Sequence, residues 1–117
     1  MQRDMELIRK ILMAIESEPL MDRRHEFNSD SELFPSGYSN ELVTYHLALL
    51  HDGGYVTGNA ERPTVSGLTM SGHDFVGCIK DAEIWKKTTE RLSDLRGAPL
   101  HTYASVAEAE INKRAGL

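Results

Sequence analysis

The sequence predicts a mainly helical α+β fold, a winged helix-turn-helix with a two-stranded wing and flanking C-terminal helices. Three observations predict it. Residues 39–52 carry apolar side chains at spacings of three and four, the period of one helix face, and stop at Gly53-Gly54. Two short runs with strand character, residues 55–57 and 64–69, lie on either side of the turn signal Gly58-Asn59. Beyond them Phe75, Ile79, Ala82, Trp85, Thr89 and Leu92 again recur at three and four, the stripe of one long helix or of two abutting ones.

In chain order, Asp4 can cap a helix over residues 4–18, whose stripe is Leu7, Ile8, Ile11, Leu12 and Ile15. Glu6 and Lys10 sit at the spacing of a minor ion pair. Pro19 stops the helix, because proline cannot continue the hydrogen-bond ladder. Through residues 20–38 Met21, Phe27, Leu33 and Phe34 are scattered among polar residues, and Pro35-Ser36-Gly37 marks a turn. Periodicity leaves a short strand and a short helix both open there.

Ser39 is a good N-cap for the central helix, and Glu41 sits where the helix dipole favours an anion. Leu42 and Leu49 lie on one line of that helix, with Val43, Leu47 and Leu50 beside it. Gly53-Gly54 supplies a residue able to take positive φ and end the helix. A wing hairpin is expected over 55–69, with Val65 and Leu68 inward, and Thr69 can cap the helix that follows. That helix is expected over 70–93, Asp81 being able to cap a restart. Gly97, Ala98 and Pro99 close the region. A last helix is expected over 103–114, with Ser105 and Glu108 in capping-box spacing and Lys113-Arg114 before Gly116. Residues 1–96 therefore read as a winged-helix domain, and residues 97–117 as a helical extension packed on it.

At 117 residues the chain has room for one core. No stretch approaches the roughly 20 apolar residues of a membrane span, so no membrane is expected among the partners. The opening MQRDMELIRK lacks the apolar run of a signal peptide. A single cysteine excludes an internal disulfide, and a cytoplasmic location is expected.

Catalytic and metal constellations are not evident. His46/His51 and His73/Cys78 are each five apart, about 500° of helical rotation, which points the members of each pair to different sides. His51-Asp52 and His73-Asp74 have the dipeptide of metal-dependent phosphohydrolases, but such sites need further ligands on neighbouring helices. Cys78, on an apolar stripe, reads as a core thiol, and Trp85 as core or oligomer contact. No phosphate loop, dinucleotide fingerprint or nucleophile elbow occurs. The expectation is a non-enzymatic protein without metal or cofactor.

Charge decides the remaining question only in part. The net charge is −5, and no Lys or Arg lies between His25 and Glu61, a span that carries Glu26, Asp30, Glu32, Glu41, Asp52 and Glu61. A helix entering the major groove normally brings Arg, Lys, Asn or Gln to base edges. The expected exposed residues of the central helix are Asn40, Glu41, Thr44, Tyr45 and His46. The nearest cations are Arg23, Arg24 and Arg62. The ligand-facing set is thus Asn40, Glu41, Thr44, Tyr45, Arg23, Arg24 and Arg62, meeting either duplex DNA or a protein partner.

The pattern YHLALLHDGGYV followed by LTMSGHDF is similar to winged-helix proteins, in which a helix ending Leu-x-x-Gly precedes the wing and Leu-Thr-x-x-Gly follows it. More narrowly, RDMELIRKIL, YHLALLHDGGYV and LTMSGHDFVGCIKDAEIWKK together resemble one bacterial and phage family known as a domain of unknown function. The resemblance covers most of residues 2–93, and its Gly-His-Asp-Phe and Ile-Trp elements are the more specific parts. It implies a winged helix and a prophage or mobile-element setting, with no mechanism and no list of functional residues. Two functions are expected from fold and charge together: a DNA-binding transcriptional regulator, or a winged-helix interaction module (adaptor or inhibitor) that leaves DNA alone. A homodimer through the helix around Trp85 or the C-terminal helix is expected in either case.

Overall fold

The computed structural model describes residues 1–95 and 97–117. It is α+β and mainly helical, with five helices and a two-stranded antiparallel sheet among those residues. The chain forms two compact units, Met1–His73 and Asp74–Leu117. The domain boundary expected after residue 96 falls at Arg96, outside the described residues.

The first unit begins with α1 (Met5–Ser17). Asp4 caps it, its Oδ1 accepting the backbone N–H groups of Glu6 and Leu7 at 3.0 and 3.2 Å. Leu7, Ile8, Ile11, Leu12 and Ile15 are all buried, so the apolar stripe is the core face. α2 (Asn40–Asp52) starts at Ser39, whose hydroxyl accepts from Leu42 N–H at 3.1 Å. Its buried side is Val43, His46, Leu47 and Leu50, while Leu49 is only half-buried. The helix ends where Gly54 takes φ +76°, a conformation that costs glycine little.

Two strands follow, β1 (Val56–Thr57) and β2 (Gly67–Leu68), paired with Val56 opposite Leu68 and Thr57 opposite Gly67. Regular pairing is shorter than the expected hairpin. A third line of chain flanks β2's strand: Phe27 and Val65 exchange both backbone hydrogen bonds, at 2.8 and 2.9 Å. The segment that periodicity left open thus contributes one bridge and then a series of turns, with Ser31 N–H donating to Asn28 and Phe34 N–H to Ser31. Phe34 fills the core from those turns.

α3 (Met70–Ile79) begins immediately after β2. Thr69 makes the junction: its Oγ1 donates to the Gly54 carbonyl at 2.6 Å and accepts from Gly72 N–H at 3.0 Å. Gly72 lies so close to the Tyr55 carbonyl that any Cβ there would collide with it. The Leu-Thr-x-x-Gly pattern is therefore a close-packed strand-to-helix joint.

The expected single helix over 70–93 is two, α3, which runs from the first unit into the second, and α4 (Ala82–Arg91) in the second. Asp81 separates them by capping α4, accepting Glu83 N–H and Ile84 N–H at 2.9 and 3.0 Å. The restart resets the helical phase. Ile84, Trp85 and Thr88 are buried, whereas Ala82 is exposed and Thr89 half-buried, which corrects two positions of the expected stripe. α5 (Leu100–Arg114) starts three residues earlier than expected because Pro99 presets the entry geometry. Ser105, expected as a cap, lies inside the helix and is exposed. α4 and α5 pack together, Trp85 stacking on Tyr103 with ring centres 5.8 Å apart.

Candidate functional site

Successive residues of a helix turn by about 100°. Opposite the buried side of α2 stand Glu41, Tyr45, Ala48 and Asp52. Glu41 and Asp52 are exposed, and Tyr45 and Ala48 half-buried. The outward face of this helix is thus an aromatic and a methyl between two carboxylates, with no Lys or Arg on the helix at all.

His46, expected on that face, is fully buried. Its Nε2 accepts the Asp4 N–H at 2.8 Å, and its Nδ1–H donates to the Leu42 carbonyl at 2.8 Å. Those partners select one tautomer and tie α2 to the cap of α1. Its spacing of three from Val43 and four from Leu50 does place it on the buried face; what the sequence does not show is the distant N–H that makes an imidazole tolerable there.

The expected cations are mostly engaged within the unit. Arg23 adopts φ +71°, donates its backbone N–H to Ser66 at 2.8 Å, and sends Nη2 to the Leu68 carbonyl at 3.3 Å. Arg24 pairs with Asp22 at 3.1 Å. Asp22 also accepts the Arg24 backbone N–H and faces His25 Nδ1 at 3.0 Å. The Arg24 backbone hydrogen bond, followed by that to His25, holds the Asp22 carboxyl well below the usual carboxylate range. Arg62 is different: exposed in the wing loop, its guanidinium has no partner among the described residues.

Arg62 and Pro63 border an open cleft of about 410 Å³ between the chain around residues 26–29, α2 and the wing loop. Thr44 lines it from α2, with Glu26, Asn28, Ser29, Asn59 and Thr64 around it. Thr44 Oγ1–H donates to Ser29 Oγ at 2.6 Å, and Ser29 Oγ–H to Asn40 Oδ1 at 2.6 Å. Of the expected site residues, the cleft therefore gathers Thr44, Arg62 and, through Ser29, Asn40. Glu41 and Tyr45 belong to the outward face of α2, and Arg23 and Arg24 to the chain beside β2. Glu26, Asn28, Ser29 and Thr64 were missed by sequence reasoning. They come together only through the bridge between Phe27 and Val65. Asn59 alone carried a signal, as part of a turn.

The remaining polar candidates have local partners or stand apart. His51 Nε2–H donates to the Thr64 carbonyl at 2.6 Å, joining α2 to the wing, and His73 is exposed. Cys78 is half-buried, where a core thiol was expected, and burial, followed by Glu108 and Asp74, pushes its thiol up. Among the described residues no three of His, Cys, Asp and Glu converge as metal ligands would, and no helix is long and apolar enough to cross a membrane.

A family model described as hypothetical protein (DUF2513) matches residues 2–99. A protein of Haemophilus influenzae, described as an uncharacterized protein, is 29% identical over 106 residues, covering 81% of this chain and 83% of its own. No solved structure matches the chain.

Proposed function

The chain belongs to the DUF2513 family, and we propose that it is a non-enzymatic winged-helix protein whose central helix binds a protein partner. The observation that carries this reading is the outward face of α2, with Glu41 and Asp52 bracketing Tyr45 and Ala48. Such a face opposes phosphate, since nucleic-acid affinity draws chiefly on neutralisation by Lys and Arg. It favours a partner that brings a cation to each carboxylate and an apolar contact to Tyr45, the amphipathic aromatic typical of interface anchors. The winged-helix assignment is supported by the succession of helix, glycine stop, strand, loop, strand and helix, and by the third line of chain beside β2. The pairing of Arg24 with Asp22 offsets one more positive charge.

A DNA-binding regulator of a prophage or other mobile element is the second reading, favoured by the unpartnered Arg62 in the wing loop, unpartnered among the described residues. One titration separates the two. Fluorescence anisotropy on random duplex at several salt concentrations is expected to give no saturable binding at low salt. Tight, salt-sensitive binding would instead establish the DNA reading. In that case R23A, R24A and R62A together should flatten the salt slope by about one unit for each phosphate left without its arginine.

A further inference from the structure

The cleft beside Arg62 has two chemically opposite walls, and hydrogen-bond directions within the fold make them so. On the wing side, Asn59 Oδ1 accepts the backbone N–H groups of Glu61 and Arg62 at 2.9 and 3.1 Å. The group Asn59 has left is its amide NH2, a donor. Thr64 Oγ1 accepts the Asn59 N–H at 3.1 Å, so its own hydrogen remains to give. Arg62 can only donate. On the facing side, Thr44 spends its hydroxyl hydrogen on Ser29, and Ser29 spends its own on Asn40. Both hydroxyls therefore offer lone pairs alone. Glu26, exposed and with no partner among the described residues, offers a carboxylate. One wall gives hydrogens and carries a positive charge; the other accepts them and carries a negative one.

We propose that this cleft binds a small zwitterion, an α-amino acid or dipeptide, with its carboxylate toward Arg62, Asn59 and Thr64 and its ammonium toward Glu26, Ser29 and Thr44. The volume of about 410 Å³ suits a small ligand, since such sites span about 300–1,000 Å³. An anion alone would meet Glu26, and a cation alone would meet Arg62. Only a ligand carrying both charges satisfies both walls. The site lies apart from the outward face of α2, so the partner reading does not decide it; it shares Arg62 with the DNA reading, from which a titration with small ligands separates it.

The test is an amide chemical-shift titration of the full chain with free α-amino acids and dipeptides. Saturable shifts at Ser29, Thr44, Asn59 and Arg62 are expected, with dissociation constants of about 1 mM or below. R62Q and E26Q should each weaken binding about tenfold, the scale of one charge-assisted hydrogen bond. Both side chains are exposed, so unchanged far-UV dichroism would show that the variants remain folded. N-acetylated and C-amidated versions of the best ligand should bind correspondingly worse. Y45A, outside the cleft's lining, should leave the affinity for the small zwitterion unchanged, which keeps the result distinct from the fate of the α2 face. Absence of saturation up to about 20 mM, or affinity unaltered in R62Q, would overturn the proposal. Saturation by a polypeptide but by none of the small zwitterions would overturn it as well.

Discussion

Single residues at the junctions of the first unit account for more of its order than their size suggests. His46 is an imidazole inside an apolar core, where its ring accepts the Asp4 N–H and donates to the Leu42 carbonyl. Replacing it by leucine keeps the volume but leaves the part-buried Asp4 N–H without its acceptor. H46L is expected to lose about 1–3 kcal/mol in urea unfolding, the usual cost of orphaning such a group. A neutral result would mean that Asp4 finds water instead. Gly72 works by absence: the space a Cβ would need is held by the Tyr55 carbonyl, so backbone must move. G72A should cost about 1–3 kcal/mol, the range for overpacking a tight contact, and a melting temperature equal to that of the parent would refute the close approach.

For whole elements, the phase of burial and the caps decide which side of a helix is structural. On α2 the buried positions are Val43, His46, Leu47 and Leu50, and Leu49 is half-buried on the flank. L50A is expected to cost about 2–5 kcal/mol and L49A distinctly less, measured side by side by thermal melts. Equal losses would shift the core face. On α4 the cap is electrostatic as well as geometric. The Ile84 backbone N–H, followed by Arg114, lowers the pKa of Asp81, and the same Arg114 reaches Glu83 at 3.0 Å. A depressed folded pKa gives stability that is full above the unfolded value of about 3.9 and is lost as pH falls through the folded value. D81N should therefore be less stable than the parent at pH 7, and its decline below about pH 4 should be shallower. Identical slopes in acid titrations of the two proteins would exclude the carboxylate as a contributor.

At the scale of the whole molecule, we add to this reading the two-fold homodimer that the sequence leads us to expect. Trp85 is not its anchor, being buried and stacked on Tyr103. Ile111, exposed on α5, is one apolar side chain that such a contact could use. Light scattering at tens of micromolar should then give twice the 13.1 kDa of one chain, and a single-chain mass would remove the dimer.

What the sequence determined by itself is local. The period of Leu7, Ile8, Ile11, Leu12 and Ile15 makes one face of α1 apolar whatever it packs on. Asp4, Ser39 and Asp81 cap because the hydroxyl or carboxylate and the N–H groups it satisfies lie within three residues of one another. Gly54 ends α2 because positive φ is a property of one residue. The lack of Lys and Arg from residue 26 to 61 was equally plain. Tertiary structure decided everything that depends on groups far apart in the chain. It made His46 interior, through a donor 42 positions away, and it drew the Arg23 guanidinium to a carbonyl 45 positions away. It also built the cleft, because Ser29 meets Thr44 across 15 residues and the wing loop reaches that neighbourhood through the bridge between Phe27 and Val65. Periodicity reports which face of a segment is apolar; which polar group waits opposite it is fixed only when the chain closes on itself.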